Sequence, residues 1–190
     1  MKKWWQHMNR GLLLLFVAVL AVSVYLFMDH EKTKKDKKAI IEITKEFISD
    51  SSAYFTCPDG FDFWGQEELT EESLSSLMAA QTAHVDTYFC ENEAVRNNQI
   101  SYYFSFFENC RLIETLPANC TRAPLSIEVR DIYNGSATVV VTTQTTIEYT
   151  KEDDSRQTEV TTTEDTLLFL KQEGEWKLVS ARSNMPQIEM

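Results

Sequence analysis

The chain has 190 residues, 43% of them hydrophobic and 12% aromatic, and a formal charge of −11. That length is room for about one domain, and this apolar content is enough for a core, which excludes wholesale disorder. Residues 1–28 hold three cations and no acid, so −14 falls on residues 29–190; such a surface is repelled by phosphate backbones and excludes a nucleic-acid partner.

Residues 11–28 (GLLLLFVAVLAVSVYLFM) carry no charge. At 1.5 Å per helical residue they span roughly 27 Å, close to a hydrocarbon core of about 30 Å, and are expected to anchor the chain in a lipid bilayer. Trp4 and Trp5 before the run, and Tyr25 and Phe27 at its end, suit the aromatic belts of the two interfaces. A cleaved signal peptide is the rival reading, since residues 1–10 form a basic leader. The run exceeds the usual 7–15 residues of a signal, and Val24-Tyr25-Leu26-Phe27 follows its small residues, so an uncleaved anchor is expected. Orientation is contested. Lys2, Lys3 and Arg10 precede the span and Lys32, Lys34, Lys35, Lys37 and Lys38 follow it, which taken alone puts the large part in the cytoplasm. The acid-free tail, four cysteines and two Asn-x-Ser/Thr triplets (at Asn119 and Asn134) favour the outside, and the expected location is a single-pass membrane protein facing outward.

Residues 29–38 (DHEKTKKDKK) form a charged stalk that continues into the first helix. Ile40, Ile43 and Phe47 then recur at helical spacing and predict a helix over 34–53. Pro58-Asp59-Gly60 marks a turn, followed by the aromatics Phe61, Phe63 and Trp64. Thr70, with acids behind it, reads as an N-cap for a helix carrying Leu74, Leu77, Met78 and Gln81 towards His84. A further helix is predicted over 93–111 and is closed by Pro117.

Beyond Pro124 the pattern becomes alternating. Leu125, Ile127 and Val129 oppose Ser126, Glu128 and Arg130, and Asn134-Gly135 signals a tight hairpin. Residues 139–150 place Val141, Ile147 and Tyr149 opposite Gln144 and Glu148. A polar turn (KEDDSR) leads to a strand over 158–171, and Glu173-Gly174 turns into a last strand carrying Trp176. This is a four-strand antiparallel meander behind helices, an α+β domain in which the helices cover one face of the sheet. The expected divisions are 1–10 (tail), 11–28 (transmembrane helix), 29–38 (stalk), 39–183 (soluble domain) and 184–190 (C-terminal tail).

The order of elements, the span ahead of it and the final hairpin LLFLKQEGEWKLVSAR resemble the nuclear-transport-factor-2-like (cystatin-like) superfamily. The resemblance implies a helix lying across a strongly bent sheet, making a cone-like roll with a cavity. Some members of that superfamily are enzymes with an Asp or a His-Asp pair inside the cone; others bind proteins or apolar ligands, and those behind a single span include assembly components of secretion machines.

His84 and Asp86 are the weak candidates for a catalytic pair. Residues two apart point away from each other on a helix, and on a strand they face opposite sides, so a helix-end histidine with a surface acid is the plainer reading. Tyr54, Trp64, Tyr103 and Phe107 are weak candidates to line a ligand cavity, against the commoner role of aromatics as core. Cys57, Cys90, Cys110 and Cys120 lack zinc-type spacing, and no metal site or cofactor is expected. They are disulfide candidates, with three connectivities open and Cys57–Cys90 with Cys110–Cys120 preferred because it closes short loops; four buried thiols are the alternative. With no phosphate loop or nucleophile elbow, the expected function is a non-catalytic interaction or scaffold domain that binds a protein or a small apolar ligand. A cavity-based enzyme or ligand carrier is the alternative.

Overall fold

The computed structural model describes residues 10–57 and 71–182; Trp4, Trp5, the turn expected at Pro58-Asp59-Gly60, the aromatics Phe61, Phe63 and Trp64 and the cap expected at Thr70 lie outside them. The chain divides into two compact units, Met1–Lys38 and Ala39–Met190.

Helix α1 runs over Arg10–Asp50 and ends in a 3-10 turn, Ser51–Phe55. It begins well before the predicted start at residue 34, because nothing in 29–38 breaks a helix and Lys and Glu propagate one well. Within the first unit the side chains of residues 14–28 are exposed, and the helix that begins with them is long and apolar enough, over an 18-residue window, to cross a membrane. From Ile40 the helix turns a buried face inward: Ile40, Thr44, Phe47 and Ile48, with the Thr44 hydroxyl returned to the Ile40 carbonyl at 2.7 Å.

Helices α2 (Glu71–Tyr88) and α3 (Glu93–Leu112) follow. The Asn92 side chain caps α3 by accepting from the amides of Ala94 and Val95, which satisfies two of its orphan donors. The strands β1 (Thr115–Tyr133), β2 (Ser136–Lys151), β3 (Arg156–Gln172) and β4 (Glu175–Arg182) form one antiparallel sheet in chain order. The fold is α+β with a four-strand meander. Both predicted tight turns carry the positive φ angles that primed hairpin turns require: Asn134 at 49° with Gly135 at 77°, and Glu173 at 51° with Gly174 at 95°.

The first strand departs from expectation. It starts at Thr115, ten residues early, and Pro117 lies inside it instead of closing α3. Edge position explains this, since a proline without an N–H is tolerated where no ladder bond is lost. The register slips between Pro117 and Asn119, between Pro124 and Ser126 and between Val129 and Asp131. Leu125 is the extra residue of the second slip, so it is 58% exposed instead of joining Ile127 and Val129 on the inner side.

Strand β2 alternates, with Val139, Val141, Ile147 and Tyr149 buried and Gln144 and Glu148 exposed, except that Val140 is buried as well. Leu167, Phe169, Trp176 and Leu178 continue this inner face, and Phe55, Val85, Tyr103, Phe106 and Phe107 pack against it from the helical side. Strand β4 pairs with only the Thr166–Gln172 part of β3, so the earlier part of β3 is paired through β2 alone among the described residues.

Candidate functional site

Two polar groups sit inside this core. The first is built around Arg122. Inward parity on β1 aims its side chain under the 3-10 turn, where Nη1 donates to Ser51 Oγ at 2.8 Å and Nε to Thr145 Oγ1 at 3.3 Å. Nη2 lies 3.5 Å from Asp165 Oδ2 on β3, and the guanidinium carbon stands 5.0 Å over the Phe55 ring. The backbone amide of Arg122 also donates to Ser52 Oγ at 2.9 Å. Side-chain exposure is 5% for Arg122 and 1% for Asp165, so both charges have left water and depend on these contacts. Asp165 Oδ1 and the Thr143 hydroxyl are buried without a hydrogen-bond partner among the described residues.

Beside this pair is an enclosed space of about 10 Å³, lined by Phe47, Ile48, Gln99, Tyr102, Tyr103, Arg122, Asp165, Leu167 and Ala181. That is room for about one water molecule. A surface groove of about 330 Å³ between α3 and β4 shares Gln99, Tyr102 and Ala181 with it, so these three side chains separate the groove from the charged pair.

The second group is centred on His84. Its ring is stacked on Phe47 at 5.5 Å between centroids, lies 4.1 Å from Tyr54, and is flanked by Tyr88 at 4.9 Å and Tyr103 at 5.8 Å. Burial in this ring of aromatics pushes its pKa down to about 4; the nearby Asp50 carboxylate opposes that shift and Arg122 adds to it. His84 is therefore a neutral imidazole at physiological pH. The Tyr88 hydroxyl donates to Asp50, and burial together with that bond pushes the Tyr88 pKa up. Tyr54 is raised as well, by burial first and then by Asp50.

The candidates from the sequence are thus dispersed. Asp86 is exposed and paired with Arg96, away from the buried His84 two residues earlier. Tyr103 lines the enclosed space, whereas Tyr54 covers His84, Phe107 is packed in the core, and Trp64 lies outside the described residues. The four cysteines are free in this structure, which does not show the expected Cys57–Cys90 and Cys110–Cys120 bridges. The fold holds Cys57 and Cys90 at opposite edges of the sheet: the Cys90 amide donates to the Leu178 carbonyl on β4, while the Cys57 amide donates to the Pro117 carbonyl on β1. Burial raises the thiol pKa at Cys57, to about 12 at Cys110 and to about 12 at Cys120; the Cys110 charge adds to the shift at Cys57.

Arg122 and Asp165 were not singled out from the sequence. Asp165 was legible, because it shares strand parity with Leu167 and Phe169 and must face the core with them. Arg122 carried no such signal, since Pro117 and Pro124 on either side of it masked a strand.

No family profile matches the chain, and no curated protein matches it. Solved structures with similar folds include the association domain of CaMKII from C. elegans, at 18% identity and TM-score 0.41, covering 81% of this chain and 99% of that one. A CaMKII association domain from Xanthomonas campestris matches at 17% identity and TM-score 0.35, covering 65% and 93%. An uncharacterised protein with a cystatin-like fold from Caulobacter vibrioides matches at 24% identity and TM-score 0.33, covering 47% of this chain and 57% of that one. Similarity this low identifies neither a family nor an activity.

Proposed function

We propose that this chain is a membrane-anchored, non-catalytic interaction domain of the nuclear-transport-factor-2-like kind, which engages another protein on the outer side of the membrane. One observation carries the reading: the interior is filled. Among the described residues the space beside Arg122 is about 10 Å³, the acid that lines it, Asp165, is tied to that arginine, and His84 is wrapped by four rings. A substrate has no room to meet an acid or base in such a core. The side of the sheet away from the helices has apolar residues to offer, with Val160 58% exposed and Leu168 and Leu170 more than a third exposed among threonines.

In this reading residues 11–28 cross the bilayer, 1–10 stay inside, 29–38 are the stalk, and 39–183 are the soluble domain. The acid-free tail supports the outward direction. Protease shaving of intact cells tests the direction, and digestion of the domain is the expected result.

The interaction itself is tested by native-gel migration of the full chain extracted from its own membranes in mild detergent. A complex larger than the single chain is expected, and Leu168→Arg with Val160→Arg should dissolve it while His84→Gln leaves it intact. Migration of the wild-type chain as a monomer would overturn the reading.

A second reading, a carrier for a small polar ligand, is favoured by the unpartnered Asp165 oxygen behind the Gln99–Tyr102 wall. Tyr102→Ala would join the groove to the enclosed space. Unchanged uptake of small amines and amides by that variant, followed by thermal shift, would end this reading.

A further inference from the structure

The stalk is net positive and follows the apolar run directly. Residues 29–38 carry five lysines and three acids, whereas residues 39–190 carry −16 once this +2 and the +3 of residues 1–28 are set against the total of −11. All five lysines are exposed, while Glu31 and Asp36 are half-buried.

The helical phase separates the charges. Because α1 is unbroken through the stalk, successive residues turn by about 100°. Lys34, Lys35, Lys37 and Lys38 then fall within an arc of about 160°, and Asp29 and Asp36 fall together on the opposite side. Glu31 alone lies inside the lysine arc, four residues before Lys35, the spacing at which it supports the helix. Lys34 stands about 9 Å along the axis from Met28, and Lys38 about 15 Å. Side chains on an α-helix lean towards its N-terminus, so each of these lysines leans back towards the apolar run. Long cationic side chains in that position bring their ammonium groups to the interface.

We propose that the lysine face of the stalk binds the anionic headgroups of phospholipids in the leaflet from which the domain emerges. The inference rests on residues 11–28 spanning the bilayer, and it adds a preference for lipid type that the span by itself does not have. A helix with Lys34 to Lys38 on one side gathers phosphatidylglycerol-like lipids around it, because a lysine near an anionic surface is attracted over about one Debye length, roughly 8 Å at physiological salt. Asp29 and Asp36 are turned to the other side, and the four lysines of the arc outnumber Glu31, the one stalk acid among them.

The test uses the full chain reconstituted into vesicles of phosphatidylcholine alone and of phosphatidylcholine with phosphatidylglycerol. Co-flotation with both, resistant to alkaline extraction, checks the span first. Spin-labelled phosphatidylglycerol and phosphatidylcholine are then compared for the fraction of label immobilised by the protein. A several-fold preference for phosphatidylglycerol is expected, shrinking as salt is raised. It should fall to parity in the variant Lys34→Gln, Lys35→Gln, Lys37→Gln, Lys38→Gln, whose helix is preserved because glutamine propagates a helix about as well as lysine. Equal immobilisation of both lipids by the wild-type chain would overturn the inference while the span stands. Loss of the protein from both vesicle types on alkaline extraction would overturn the span, and the lysine inference with it.

Discussion

The Arg122 guanidinium and the Asp165 carboxylate face each other at 3.5 Å inside the domain, on strands that are not neighbours, because β2 lies between β1 and β3. The pair ties the two strands across the sheet's inner face, and Ser51 adds the 3-10 turn to the same knot. Breaking one side leaves the other charge buried, a loss of about 3–5 kcal/mol. Arg122→Met and Asp165→Leu should therefore each destabilise the chain strongly in urea unfolding followed by circular dichroism. The double variant should lose less than the sum of the two.

His84 makes the domain sensitive to acid. Its pKa is about 4 in the folded chain against an ordinary value of 6.5, so the unfolded chain binds the extra proton between those values. The stability it provides is complete above about pH 6.5 and is lost as pH falls through 4, at most about 3 kcal/mol. Thermal unfolding of the wild type should decline more steeply over this window than that of His84→Phe. Parallel profiles would show that His84 does not titrate in this way.

The cysteines give a chemical readout. With burial holding Cys110 and Cys120 near pKa 12, a maleimide at pH 7 should label the folded chain slowly. Unfolding in denaturant should release four reactive thiols without any reductant. Fewer than four would reveal a bridge and contradict the free thiols of the structure.

Gly135 tests the first hairpin. Its φ of 77° is uncomfortable for any side chain, although a Cβ there would meet only Lys171 Cβ at an ordinary 3.9 Å. Gly135→Ala should destabilise by about 1–2 kcal/mol through the backbone alone, read as a lower urea midpoint with an unchanged slope.

Much of this architecture was legible. The Asn134-Gly135 and Glu173-Gly174 turns, the alternation along β2 and the helical spacing of Ile40, Ile43 and Phe47 are local signals, and each produced its element. What escaped depends on distant partners. The start of β1 at Thr115 was hidden because a proline is a breaker in a helix and tolerable at a sheet edge, and only the sheet's order tells which applies. The polar centre was hidden for the same reason: Arg122, Ser51, Thr145 and Asp165 lie far apart in sequence. Their meeting is a property of the register, which period-two patterning constrains but does not number. His84 was noticed, and helix geometry already set it apart from Asp86, but its surroundings come from α1, the 3-10 turn and α3, which the sequence does not bring together.

The shortness of β4 divides β3 into two halves. Amides bonded to β2 are held along the whole strand, but those pointing the other way have a strand to bond, among the described residues, only from Thr166 onward. Hydrogen exchange along β3 should therefore be slow at every residue of its second half. Over Arg156–Asp165 it should alternate, fast and slow, with the direction in which each amide points. A single strand would carry a record of where its neighbour ends.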